Sequence, residues 1–186
     1  MTIPRLEFET LAPDLAKVLE PRVKRLGYLG EFFKCAGHQP AALLSFIDFT
    51  EHSKKALPQR LVEVIALTAS AKLGNAYERN QHERLSVRLG YGSDWVAAVE
   101  ALDPDGGASS TLDDADRVVQ RFVVAMLDRH GHGVEAELAA VVEAIGHEQA
   151  IAAMMVVGRY VVHALIVNTL ALEPPVPSIF EDGFDG

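Results

Sequence analysis

The 186-residue chain contains 49% hydrophobic and 23% charged residues, which fits one soluble domain with a sizeable core. Its net charge of −9 and the lack of a basic block argue against nucleic acid or an anionic membrane as a partner, since both require clustered Lys and Arg. The single cysteine, Cys35, cannot form an internal disulfide, so nothing requires an oxidising compartment.

Alanine, leucine and glutamate dominate the sequence, and alternating strand patterns are absent, which predicts an all-α fold. Pro21 is expected to break or kink the first helix, and Ser93 to cap the sixth. Thr111 with Asp114 resembles the start of the seventh helix. In chain order, the predicted helices cover residues 13–26, 31–36, 40–55, 58–73, 76–89, 93–102, 111–129, 134–145 and 151–172.

The turn formers clustered over residues 103–110 predict the clearest loop. We expect one domain over residues 1–186, because neither half alone would bury its apolar faces. The tail from about residue 174 to 186 is proline-rich and then acidic, and is expected to be extended and mobile.

The last predicted helix, residues 151–172, is long and apolar enough to span a bilayer. Arg159 and His163 interrupt it, however, and a charge near the middle of a span is costly in lipid. We therefore predict a helix buried in the core or at a subunit contact, and no membrane partner. Because the N-terminus lacks the features of a signal peptide, the expected location is the cytoplasm.

The stretch GNAYERNQH, residues 74–82, combines a helix start with residues capable of chemistry. Asn75 is a favoured N-cap residue, and Glu78 stands three positions later, where a glutamate can reach back to the cap amide. This capping-box pattern explains both residues without any function.

The same spacing also supports a functional interpretation, and both remain open here. Glu78 and His82 are four residues apart on one helical face, where a carboxylate can hold the imidazole in one tautomer and raise its basicity. Glu63 lies in the apolar run RLVEVIALTA, and a carboxylate is seldom buried unless it is paired. The alternative is that Glu63 lies on a polar helix face with Arg60.

Residues 57–102, which begin LPQRLVEVIALTASAKLGNAYERNQHERLSVRLG, resemble the core motif of the carboxymuconolactone decarboxylase and alkyl hydroperoxidase D-like family. The peroxidase branch of that family carries a Glu and, twelve residues on, Cys-x-x-Cys-x-x-x-His. Glu63 matches the Glu and His82 the His, while Asn75 and Glu78 stand at the two cysteines. The sequence resembles the cysteine-free branch more closely.

This resemblance implies an alkyl hydroperoxidase D-like helical bundle that forms homo-oligomers, commonly dimers, trimers or hexamers. It argues against the peroxidase reaction, which needs a thiolate to attack and a second thiol to resolve. Asn75 and Glu78 can supply neither, and Cys35 lies outside the motif with no resolving partner. We interpret Cys35 as a packed core residue.

The resemblance also implies roles for single residues. Arg159 is expected to anchor an acid, although a structural salt bridge to Glu63 or Glu78 is the alternative. Tyr77 and His163 either line the pocket or only pack in the core. The predicted catalytic residues are Glu63, Glu78 and His82, and the predicted substrate-binding residues are Asn75, Tyr77, Arg159 and His163. Glu63, Glu78 and His82 could also bind a metal, but none is expected, because their spacing differs from the Glu-x-x-His of di-iron bundles and no second such motif exists. No cofactor is expected.

Three functions remain open from the sequence. The leading hypothesis is a cofactor-independent lyase or isomerase that transfers protons on a small organic acid, as in a decarboxylation. The second is alkyl hydroperoxidase or peroxiredoxin-type antioxidant activity, which would depend on Cys35. The third is a non-catalytic protein that binds a small molecule.

Overall fold

The structure, a computed structural model, describes residues 3–106, 111–181 and 184, and the regular elements within them are all helical. The prediction of an all-α fold is therefore confirmed. Parts of the predicted loop and tail, residues 107–110, 182–183 and 185–186, lie outside the described residues. A 3-10 turn at Phe8–Thr10 precedes α1 (Pro13–Leu26), α2 (Glu31–Ala36), α3 (Pro40–Lys55), α4 (Gln59–Lys72), α5 (Ala76–Arg88), α6 (Ser93–Glu100), α7 (Asp114–Asp128) and α8 (Glu135–Thr169).

Three local predictions differ from the structure. Helix α1 continues through Pro21, which lies on the exposed side of the helix. Because proline has no backbone N–H, the carbonyl one turn earlier loses its amide donor, and on the exposed side that carbonyl can bond to water. The N-cap of α6 is Gly92 instead of Ser93. Helix α7 begins with a capping box between Asp113 and Asp116, two positions after the predicted start at Thr111.

Helix α4 lies at the centre of the bundle, packed against α5, α6, α7 and α8. All residues from Leu61 to Ser70 are buried, and Glu63 is fully buried among them. The polar-face interpretation of Glu63 is therefore wrong, because α4 has core on every side along this stretch.

Helix α8 joins the last two predicted helices across a sharp kink at Gly146, whose φ of 79° is readily adopted only by glycine. The helix is long and apolar enough to cross a membrane, yet more than half of its apolar window is buried in the bundle. Arg159 and His163 point into that bundle and are themselves buried. This is the arrangement of a core helix in a soluble protein.

Within the described residues, the C-terminal tail packs along α5. Glu83 accepts hydrogen bonds from the hydroxyl of Ser178 at 2.6 Å and from the backbone amide of Ile179 at 2.8 Å. Asn80 donates to the carbonyl of Val176 at 3.0 Å. The buried Glu83 carboxylate supplies the partner that the tail sequence alone does not show.

Candidate active site

His82 is held between two buried carboxylates that come from different helices. Its Nδ1 lies 2.6 Å from Oε2 of Glu63 on α4, and its Nε2 lies 3.2 Å from Oε2 of Glu78, one turn earlier on α5. Because an ionised carboxylate only accepts hydrogen bonds, Nδ1 carries a proton and donates a hydrogen bond to Glu63. Gln59, one turn before Glu63, donates to the other oxygen of that carboxylate at 2.6 Å.

Helix α8 supplies the opposite wall of the site. The Arg159 guanidinium donates through Nη2 to Oε1 of Glu78 at 3.0 Å, and Nε2 of His163 donates to the same oxygen at 2.9 Å. The hydroxyl of Tyr160 lies 2.9 Å from Nε2 of His82. Since residues 159, 160 and 163 occupy one face of a helix, a single surface of α8 makes all three contacts.

Asn75 caps α5 and also contacts the site. Its Oδ1 accepts the backbone amide of Glu78 at 3.2 Å, which is the predicted cap geometry. Its Nδ2 donates to Nδ1 of His163 at 3.4 Å, so the amide links the helix start to α8. The second half of a capping box is not formed in this part of the structure, because the Glu78 carboxylate is turned towards Arg159 and His163.

The two histidines differ in their preferred charge because they have different numbers of carboxylate partners. Burial disfavours a charged His82, but Glu63 and hydrogen bonds to Glu63 and Glu78 raise the pKa of His82 above its ordinary value. Burial lowers the pKa of His163, and Glu78 alone does not restore it beside the positive charge of Arg159. The charged form is thus favoured for His82 and the neutral form for His163.

Glu78 is a fixed negative charge. Burial would raise its pKa, but Arg159 and His163 outweigh burial and hold the pKa of Glu78 well below its ordinary value. The pKa of Glu63 is also lowered, since the charge of His82 outweighs burial. Burial raises the pKa of Tyr160 well above its ordinary value, so its hydroxyl keeps its proton.

A cavity of about 220 Å³ opens beside this network. Helices α3, α5 and α8 contribute polar side chains to its lining, and arginines from α1 and α5 line it as well. Glu63 and Asn75 do not line it in the described part of the chain, because they lie behind His82 and His163 respectively. The polar groups that contribute to this wall are Lys54, Tyr77, Glu78, His82, Arg159 and His163.

Arg159 has donor capacity that the protein does not use. Its Nε and Nη1 are buried and have no hydrogen-bond partner in the described part of the structure. A buried donor without a partner is costly, and an anion in the adjacent cavity would satisfy it. Arg159 therefore makes the ion pair with Glu78, lines the cavity, and has buried donors without a partner among the described residues.

The structure brings all seven predicted site residues into one connected cluster. Tyr77 lines the cavity, and its hydroxyl accepts the backbone amide of Phe32 at 3.4 Å. Sequence reasoning missed Gln59, Lys54 and Tyr160. Tyr160 could have been found from its place on the same face of the last helix as His163, whereas no sequence signal marked Lys54.

Cys35 lies away from this wall. It is buried in α2, lines a different and mainly apolar cavity, and is not among the residues around the site. Burial raises the pKa of its thiol, which disfavours the reactive thiolate. Both ring nitrogens of His82 contact protein groups, so the imidazole would have to give up a bond to ligate a metal.

Comparison with known proteins supports the fold. The chain is similar to the debrominase Bmp8, solved alone and in complex with 2,3,4-tribromopyrrole: the complex has a TM-score of 0.77 at 17% identity over 93% of this chain and 91% of that chain. It is also similar to an alkylhydroperoxidase AhpD core protein, an uncharacterized peroxidase-related protein from Ralstonia eutropha, with a TM-score of 0.78 at 16% identity over 92% and 90%.

No protein-family model matches the chain, and no curated protein matches it significantly. The TM-scores of 0.77 and 0.78 establish the architecture, whereas identities of 16 and 17% leave the reaction open. The resemblance that the spacing of Glu63, Asn75, Glu78 and His82 indicated is thus confirmed as a likeness of fold: the chain folds as an alkyl hydroperoxidase D-like helical bundle.

Proposed function

We propose that this protein is a cofactor-independent lyase or isomerase that transfers a proton to or from carbon on a small organic acid. The observation that carries the proposal is the position of His82, which faces the cavity while two buried carboxylates hold its charge. An imidazole kept protonated in this way is a general acid that needs no metal or organic cofactor.

The network supports both protonation states of His82. In the charged state, Nδ1–H donates to Glu63 and Nε2–H is directed towards Glu78 and Tyr160. After Nε2–H is given to a substrate carbon, Glu63 still holds the Nδ1–H tautomer, and the Tyr160 hydroxyl can donate to the bare nitrogen. Tyr160 therefore stabilises the state that follows proton transfer.

Glu78 serves as an electrostatic partner in this proposal. A carboxylate whose pKa is held well below its ordinary value is a weak base, so Glu78 stabilises the His82 cation and does not itself carry the proton. Glu63 is a positioning residue, because it fixes the tautomer of His82 without lining the cavity.

An acidic substrate follows from the charges around the cavity. Arg159 offers unpartnered donors, and Arg22, Arg25 and Arg88 lie around the same cavity. Arginine groups bind carboxylates through paired hydrogen bonds, and a weakly hydrated cavity strengthens them. A carboxylate on Arg159 would hold the rest of a small molecule beside His82.

A thiol mechanism has no support in this geometry. Cys35 is the only cysteine of the chain, lies outside the cavity wall and has a raised pKa. A peroxidase would require peroxide turnover that depends on Cys35, and a Cys35→Ser variant with unchanged activity would exclude that dependence.

The proposal is tested by following exchange of α-hydrogens for solvent deuterium by NMR on a panel of small oxo and unsaturated acids. We expect one acid of the panel to undergo exchange or to release CO₂. In His82→Gln the rate of that reaction should fall at least about a hundredfold, which is the usual contribution of a general acid or base. Arg129→Gln, a distant surface change, is the control. Full activity in His82→Gln would refute the assignment, and binding without exchange or turnover would indicate a binding protein.

A further inference from the structure

The wall of the cavity holds a lysine that the proton-transfer network does not use. Lys54, near the end of α3, lines the cavity together with Glu78, His82 and Arg159. Its Nζ lies 5.3 Å from the centre of the Tyr160 ring, whose hydroxyl contacts His82. The amine is thus adjacent to the proton carrier of the site.

Lys54 has no carboxylate partner that would hold its charge. Within the described residues, no carboxylate oxygen lies at ion-pairing distance from its Nζ, although His82 and Arg159 each have one. Lys54 also lines a smaller neighbouring cavity of about 50 Å³ with Arg22, Glu51 and Arg159. Two arginines and one lysine therefore share a confined space, which favours loss of the lysine charge.

The electrostatics agree with this geometry. Burial, followed by the positive charge of Arg159, lowers the pKa of Lys54 from 10.5 to about 8, and this despite Glu78, Glu63 and Glu51. A lysine with a lowered pKa of this kind has a sizeable neutral fraction near physiological pH, and the neutral amine is the nucleophile that attacks carbonyl carbon.

We propose that Lys54 forms a Schiff base with the keto group of a 3-oxo acid, so that the site decarboxylates a substrate bound covalently. This inference rests on the proposed function and names its substrate class. It also supplies what Glu78 and His82 lack, since loss of CO₂ requires a group that accepts the electron pair of the broken bond.

The steps balance without a redox partner. The Lys54 nitrogen bonds to the keto carbon, and with one added proton the carbonyl oxygen leaves as water to give an iminium. The bond from the α-carbon to the carboxylate then breaks, CO₂ leaves, and its electron pair moves to the iminium nitrogen as an enamine. His82 gives a proton to the α-carbon, and water hydrolyses the resulting iminium to release the ketone and the amine.

In this reaction Arg159 would bind and orient the carboxylate of the substrate. Its unpartnered Nε and Nη1 would orient the substrate carboxylate, and it shares both cavities with Lys54. The hydrogen bonds to the carboxylate are given up as CO₂ forms. The guanidinium of Arg159 would thus have two roles, because its positive charge also disfavours the charged form of the Lys54 amine.

The test is reductive trapping in the full-length protein with acetoacetate as the probe. Sodium borohydride is added, and the modified lysine is found by peptide mass spectrometry. We expect an N-isopropyl group on Lys54, the reduced product after CO₂ loss. It should be absent in Lys54→Arg, which keeps a long basic side chain without a nucleophilic amine, and retained in Lys55→Arg, which changes the exposed neighbour. An adduct that keeps the carboxylate would overturn the decarboxylation step.

A second probe separates this inference from the proposed function. 2,4-Pentanedione forms an ultraviolet-absorbing enaminone with a neutral amine and needs neither a carboxylate nor a proton from His82. Near pH 8 we expect Lys54 to react at least about tenfold faster than the exposed Lys55, because the pKa of Lys54 is lowered to about 8. Equal rates, or no trapping with either probe, would refute the role of Lys54 even if His82→Gln abolishes exchange.

Discussion

Replacing Glu63 with Gln tests whether a buried ion pair holds the charge of His82. Glu63 is fully buried and its Oε2 lies 2.6 Å from Nδ1 of His82, whose side chain is 9% exposed. Removing one partner of a buried pair costs about 3–5 kcal/mol, because the remaining charge is left uncompensated. The Gln amide keeps an acceptor for Nδ1–H, so we expect about 3 kcal/mol of lost unfolding free energy.

The loss should depend on pH in a defined direction. The pKa of His82 is raised in the folded state, so its contribution is complete below the unfolded value of 6.5 and disappears as pH rises through the folded value. The pKa of Glu63 is lowered, so its contribution is complete above 4.5 and disappears as pH falls through the folded value. The difference between wild type and Glu63→Gln should therefore be largest between pH 4.5 and 6.5.

Urea unfolding at a series of pH values measures this difference directly. Glu51→Gln is the matched control, since it removes the same charge from an exposed position on α3, and it should change stability by less than about 1 kcal/mol. A deficit for Glu63→Gln that is independent of pH, or that grows towards alkaline pH, would show that His82 is not held charged by Glu63.

Three further predictions concern binding, capping and assembly. Arg159→Met should weaken binding of a small organic acid by about 10- to 100-fold in calorimetry, the scale of a charged hydrogen bond, while Arg129→Met leaves it unchanged. Asn75→Ala should cost about 1–2 kcal/mol in thermal unfolding, whereas Asn75→Ser keeps the cap and should recover most of it. We propose that the exposed apolar face of α8 contacts a second copy of the chain, so Leu165→Glu should reduce the mass seen by light scattering; an unchanged mass would contradict this.

The apolar face of α8 supports the proposed oligomer through its helical spacing. Ile151, Met155, Val162 and Leu165 are 50%, 46%, 46% and 64% exposed, although they belong to the most apolar helix of the chain. Their spacings of four, seven and three residues place them on one side of the helix. A contiguous apolar stripe of this kind is typical of a protein interface.

The sequence indicated the helices because most boundaries carry local signals. Asn75, Gly74 and Pro40 stand at or beside helix ends where their own chemistry favours a cap or a stop. The joining of the last two helices at Gly146 could not be predicted, because it depends on a backbone conformation that the surrounding bundle selects. The packing of the tail on Glu83 likewise depends on residues 95 and 96 positions apart.

The candidate site was partly predictable for a similar reason. Glu78 and His82 share a helix face, so their proximity follows from their spacing alone. Tyr160 meets His82 across 78 positions of sequence, and Lys54 reaches the cavity from the end of α3. Such contacts are fixed by how α3, α5 and α8 pack, and periodicity within one helix does not determine which neighbour its polar face meets.

The start of α5 shows that a helix cap and the wall of the candidate site are formed by the same turn in this protein. The first turn of a helix favours negative charge, which is why a thiolate is stabilised at such positions. Here the cap residue Asn75 fixes the backbone at that turn, and Glu78 places its carboxylate there with Arg159 and His163 as further partners. The electrostatic setting thus suits an anion whether it is a thiolate or a carboxylate. A carboxylate cannot be oxidised and reduced as a thiol can, but it can hold His82 protonated, and this difference is the basis of the proton transfer that we propose.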